Sequence, residues 1–178
     1  MAITFLEILD TSVKIGLGAL LTGVVTYISA QANHKREVSK EWRKKKRESL
    51  ETIAQQTEEF SHTVLKYWAL ITEWGNHQNK GQEMPEDRLA KLRMINDELF
   101  HAYKNLSVVE ARLLLLGSID AQKICREYGE LITRFTKTAW IGGPPLTKET
   151  SEKWRMEILG CRERFFRCLS SHYVGSDD

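Results

Sequence analysis

The sequence predicts an all-α chain in which a single N-terminal transmembrane helix precedes a cytosolic helical bundle. Three observations predict it. An uncharged apolar stretch is followed at once by a dense basic run, long apolar stripes recur at helical spacing, and no stretch alternates convincingly in strand fashion. Three prolines, no long Gly/Ser linker and no internal repeat argue for one compact unit behind the membrane segment. The reading divides the 178 residues into 1–32, an N-terminal segment and membrane helix; 33–49, a basic juxtamembrane helix; and 50–178, the bundle.

Ile15 to Ala30 carries no charge. At about 1.5 Å per residue it gives roughly 24 Å of apolar helix, a little short of the ~30 Å hydrocarbon thickness. Lys14 can snorkel to the headgroups and Tyr27 suits an interface. The alternatives are a buried soluble helix and a cleaved signal with Ala30-Gln31-Ala32 at its cleavage site; the latter fits poorly with the acidic leader and the cations that follow. Lys35, Arg36, Lys40, Arg43, Lys44, Lys45, Lys46 and Arg47 follow the apolar stretch, whereas only Glu7, Asp10 and Lys14 are charged before it. The positive-inside rule therefore puts the N-terminus outside and the bundle in the cytosol. An RNA-binding stripe is the rival reading of these cations.

Within the apolar stretch Ser12, Gly16, Ala19, Gly23, Thr26 and Ala30 are spaced 4, 3, 4, 3, 4. Lipid gives helices no hydrophobic drive to associate, so close backbone approach along small residues decides packing, and this seam predicts a homo-oligomer in the bilayer.

Beyond the basic run, Leu50, Ile53, Thr57, Phe60, Val64, Tyr67, Ile71 and Trp74 mark a stripe broad enough, with Trp68 and Leu70, to be buried in a bundle. Gly75 is expected to end that helix, ahead of a polar loop to Pro85. A second helix starts near Pro85 with Glu86 and Asp87 in its first turn, and buries Leu89, Leu92, Ile95, Leu99, Ala102 and Leu106. Ser107 with Glu110 reads as a capping box that opens another helix carrying Val108, Val109 and Leu113 to Leu116. Gly117-Ser118 allows a bend, after which Ile124, Tyr128, Leu131, Phe135 and Thr138 continue until Gly142 to Pro145. The last helix starts around Thr147 and carries the stripe Trp154, Ile158, Cys161, Phe165, Cys168 and His172, making a bundle of four or five helices.

The net charge of +2 argues against a globally basic nucleic-acid binder. Cys125, Cys161 and Cys168 match no zinc spacing and read as reduced thiols in or near the core. His34, His62, His77 and His101 are scattered, and there is no phosphate-binding glycine loop, so neither metal nor cofactor is expected.

One motif can carry chemistry. Arg167-Cys168-Leu169-Ser170-Ser171-His172 has the form R-x-x-x-x-H near the end of the last helix. His can act as general acid or base on a ribose 2′-hydroxyl while Arg stabilises phosphate charge, with no metal required. Side chains five apart on a helix diverge by about 140°, so they converge only near a frayed end or across a dimer. The pattern resembles that of the HEPN superfamily, whose helical bundles often pair so that Arg and His of each copy form one ribonuclease site. Members that cut RNA usually have a polar residue after the Arg, where this chain has Cys168. With the N-terminal anchor and the basic run, the layout resembles the small membrane accessory proteins of type VI-B CRISPR systems. That resemblance implies a HEPN-like bundle in a ring-shaped bacterial inner-membrane pore, functionally linked to an RNA-guided RNase and strengthening antiphage defence by depolarisation. A membrane-tethered ribonuclease that uses Arg167 and His172 on RNA, and a scaffold that recruits a cytosolic partner, are the rival readings.

Overall fold

A computed structural model describes residues 5–174, with side chains described from Thr26 onward apart from Ile28, Ala32, Asn33, Lys35 and Val174. Among the described residues there are four helices and no strand: α1 (Phe5–Asn79), α2 (Glu86–Leu115), α3 (Ile119–Thr138) and α4 (Lys148–Val174). The chain divides into two compact units, Met1–Lys45 and Lys46–Asp178.

In the first unit every described residue belongs to α1. Of the small-residue seam, Thr26 and Ala30 are exposed, while the side chains of Ser12, Gly16, Ala19 and Gly23 lie outside the described residues. Arg36, Lys40, Arg43, Lys44 and Lys45 are exposed, and Lys35 lies outside the described side chains. Among the described residues no helix is long and apolar enough to cross a membrane, and the apolar stretch from Ile15 to Val25 is not among the described side chains.

The second unit is a four-helix bundle built around the Lys46–Asn79 part of α1. All eight positions of the Leu50–Trp74 stripe are buried, because the 3-and-4 spacing keeps them on one side of a helix. Thr57 belongs to that stripe without cost, since its hydroxyl donates to the carbonyl of Ile53 at 2.8 Å and Ser61 repeats the device on Thr57 at 2.8 Å. Phe60 meets Tyr103 of α2 and Tyr128 of α3 edge-on, with ring centroids 5.5 and 5.4 Å apart. Further along, Tyr67 packs on Phe135, and Trp68 Nε1 donates to the Ser151 carbonyl of α4 at 2.9 Å. The contacts of Phe60, Tyr67 and Trp68 thus reach α2, α3 and α4, which fixes the register of three helices on α1.

Two boundaries differ from the sequence expectation. Gly75 does not stop α1, which continues to Asn79. A Cβ on Gly75 would stand 3.3 Å from the Leu146 backbone nitrogen, so this glycine admits the α3–α4 loop rather than breaking the helix. The turn falls instead at Gly81, where φ is +63°. Nor does Ser107 open a helix. α2 runs through it unbroken, the Ser107 hydroxyl donates back to the Tyr103 carbonyl at 3.2 Å, and Glu110 is taken up by Gln122 and Arg126 of α3, each at 2.6 Å. The bend at Gly117 is present. With φ at +70°, Gly117 donates to the Leu114 carbonyl and Ser118 to that of Leu113, which closes the end of α2 as a Schellman turn.

Candidate functional site

α4 begins where Thr147 Oγ1 accepts the backbone N–H of Thr150 at 3.1 Å, a side-chain cap that satisfies one of the orphan amides of the first turn. From there Ser151, Ile158, Cys161, Phe165 and Leu169 are the buried line. The expected stripe holds as far as Phe165 and then shifts by one residue. Leu169 takes the buried place expected of Cys168, and both Cys168 and His172 are only half-buried.

This shift sets the geometry of the R-x-x-x-x-H motif. Arg167 projects into solvent with 77 % of its side-chain surface exposed, and its Nη2 donates to Glu163 Oε1 at 2.6 Å, one turn back on α4. His172 stands in the last turn of α4. Arg167 and His172 make no hydrogen bond with each other among the described residues. Burial pushes the Cys168 thiol up, with Asp120 adding to the effect, so at neutral pH it is a thiol and not a thiolate nucleophile.

Around the motif, α4 closes onto the beginning of the bundle part of α1. Tyr173 donates its hydroxyl to Glu51 Oε1 at 3.0 Å, and the Arg47 guanidinium lies 5.2 Å from the centroid of the Tyr173 ring. About three turns back on α4, Arg162 donates through both Nε and Nη2 to Glu58 Oε2, at 2.9 and 2.6 Å. Between these clasps is an apolar slot of about 240 Å³ lined mainly by Leu50, Ala54, Phe166, Leu169 and Tyr173. Lys46 and Arg47, placed in the basic run by sequence, are half-buried and lie within this second unit.

No known protein family, curated protein or solved structure matches the chain.

A groove of about 590 Å³ between α3 and α4 is not anticipated by the sequence; Glu127, Glu130, Arg134, Glu157 and Arg164 stand around Cys161. Arg164 Nη2 reaches Cys161 Sγ at 3.6 Å and Glu127 at 3.6 Å, while burial raises the Cys161 thiol. A protonated thiol among opposed charges is a packed group, not a nucleophile. Among the described residues no group of three or more His, Cys, Asp or Glu side chains is arranged to hold a metal ion. The only signal for this groove is the charges at helical spacing on each helix, Glu127-Glu130-Arg134 one turn apart and Glu157-Arg164 two turns apart, which by themselves describe any solvated face.

Proposed function

We propose that the chain is an oligomeric, pore-forming accessory effector of the bacterial inner membrane, which strengthens RNA-guided antiphage defence by depolarising the membrane. It crosses the bilayer once through the stretch Ile15–Ala30, with its N-terminus outside and a HEPN-like bundle in the cytosol. Copies associate through the small-residue seam into a ring whose anchors surround a conduit, and Ser12, Thr22 and Thr26 offer hydroxyls to water in it.

The observation that supports this reading is the content of α1. One element, Phe5–Asn79, carries the uncharged stretch, the exposed basic run and the buried stripe that organises the bundle. A basic run directly after an apolar stretch retains that side of a span in the cytosol, and each Lys or Arg close to an anionic leaflet gains roughly 1 kcal/mol.

In this reading Arg167 and His172 serve contacts between copies rather than cleavage. Supporting it are the carboxylate that already engages Arg167 and the divergence of about 140° between side chains five apart on a helix. The deciding experiment is a voltage-sensitive dye in cells that express the chain with and without an RNA-guided RNase and its target. Target-dependent depolarisation by the wild type supports the pore, and its weakening in Arg167→Ala/His172→Ala, while the purified wild type leaves RNA intact, supports a contact role for the pair. Unchanged potential under every condition, with RNA degraded by the purified chain, would transfer the function to a tethered ribonuclease.

A further inference from the structure

The exposed stretch of α1 between Arg36 and Arg43 is sorted into three ridges. With about 100° of turn per residue, Arg36, Lys40 and Arg43 fall within about 60° of one another, Glu37 and Glu41 within about 40°, and Val38 and Trp42 within about 40°. The ridges are themselves roughly 100° to 150° apart around the helix. Lys44 falls between the cationic and acidic ridges, and Lys45 beside the apolar one. Every one of these side chains is exposed, Val38 at 53 % and Trp42 at 61 % of their surface.

A lone helix relieves this sorting only in part. Glu37 over Glu41, and Arg36 over Lys40, place like charges one turn apart, offset in part by Glu37 with Lys40 and by Glu41 with Lys44 and Lys45 at i+3 and i+4 spacing. A large aromatic and a valine one turn apart in water add an apolar strip with nothing over it. A single type of neighbour relieves all three ridges: a parallel helix carrying the same pattern at the same height.

We infer that Arg36–Arg43 of α1 is a contact between parallel copies of this chain. The acidic and apolar ridges of one copy lie against the Arg36/Lys40/Arg43 ridge of the next. The contact uses two different faces of the same helix, so it is heterologous, and a rotation that closes turns it into a ring. It deepens the self-association proposed above and rests on it. Opposite charges face each other in register because both copies emerge at the same height, and the aliphatic stems and charged heads of Arg and Lys cover Trp42. Nucleic acid would satisfy the cations while meeting Glu37 and Glu41 with like charge. A lipid surface can draw the Arg36 end of the stretch but does not reach Trp42, which lies twelve residues beyond Ala30, about 18 Å of helix, well past the headgroups of an upright anchor.

The test uses full-length protein in lipid nanodiscs or mild detergent, with the mass read by light scattering and helix content by circular dichroism. Two variants are compared, E37K/E41K and R36E/K40E/R43E. Each alone sets like against like, and its assembled fraction at a fixed concentration falls at least about tenfold. Co-expressed with different tags, the two restore alternating assemblies, since the reversed ridge of each faces an opposite charge on the other, and both tags are recovered in equal amount. Assembly of either variant alone at the wild-type level overturns the contact and leaves self-association standing. Failure of the mixture to assemble, with helix content intact, also overturns it. A monomeric wild type removes the self-association itself and this contact with it.

Discussion

The hydroxyl of Tyr67 in α1 donates to the carbonyl oxygen of Ala139, just past the end of α3, at 2.7 Å, and both residues are 1 % exposed. Burial pushes the Tyr67 phenol up to about 12, so the proton that makes this bond is present at every physiological pH. The bond joins the bundle part of α1 to the point where the chain leaves α3.

Replacing Tyr67 by Phe keeps the ring against Phe135 and removes only the donor. The Ala139 carbonyl then loses its Tyr67 donor, and the chain loses about 1–3 kcal/mol of stability. Equilibrium unfolding of the full chain by urea, followed by helix signal, measures it. A change below about 0.3 kcal/mol would show that the carbonyl finds water instead.

Acid should loosen the junction of α1 and α2 through Glu73. Arg88 donates to both carboxylate oxygens of Glu73, and this hydrogen bonding holds the Glu73 pKa below the ordinary glutamate value of 4.5, against the opposing effect of burial. A group depressed in the folded state contributes stability that is fully present above its unfolded pKa and disappears as pH falls through the folded one. The wild type should therefore exceed Glu73→Gln in melting temperature at pH 7. The gap narrows only below about pH 4.5. A gap constant down to pH 2 would mean that shape, not charge, is what Gln fails to replace.

Ser107→Ala separates a cap from a helix interior. At the start of a helix the substitution costs about 1 kcal/mol. Inside α2, where the Ser107 hydroxyl only returns to the Tyr103 carbonyl, it gains roughly 0.5 kcal/mol from propensity. The expected outcome is a small rise in melting temperature.

The three thiols should label in a fixed order. Cys125 is completely buried and its thiol is pushed up to about 12 by burial, with the nearby Glu110 and Cys161 adding to the effect. Cys161 is buried, and Cys168 is half-buried. A brief pulse of maleimide at pH 7.5 followed by peptide mass spectrometry should mark Cys168 first and leave Cys125 untouched until the bundle opens. Labelling of Cys125 at the rate of Cys168 would contradict the packing of α3.

What sequence makes legible here is periodicity. The Leu50–Trp74 stripe was readable position by position because burial on a helix leaves a repeat in the chain itself. Ser107-x-x-Glu110 misled because four residues can match a capping pattern while the apolar repeat continues through them at Leu106, Val109 and Leu113. Gly75 misled for a different reason. A missing side chain shows in the sequence, but the Leu146 backbone that occupies its place is 71 residues away. Near Phe165 the expectation of a 3-and-4 spacing chose Cys168, whereas a straight helix drifts against a seven-residue repeat and selected Leu169. Around the R-x-x-x-x-H motif nothing local announces that Tyr173 meets Arg47 and Glu51, because those partners are more than a hundred positions apart. The exposure of Arg167 and its bond to Glu163, by contrast, follow from one-turn spacing and were open to sequence reasoning.

The clasp of Tyr173 on Glu51 also has a consequence for biosynthesis. The helix that every other helix packs against is made before them, and the hydroxyl that meets Glu51 is made 122 residues after it. At about 5–20 residues per second, some five to twenty-five seconds pass between the appearance of Glu51 and that of Tyr173 on the ribosome. Until α4 follows, Leu50 and Ala54, which face Phe166, Leu169 and Tyr173 across the apolar slot, are a sticky surface without a lid. Nascent chains of this protein should therefore be clients of a ribosome-bound chaperone, and neighbouring polysomes the place where it misassembles when that chaperone is scarce.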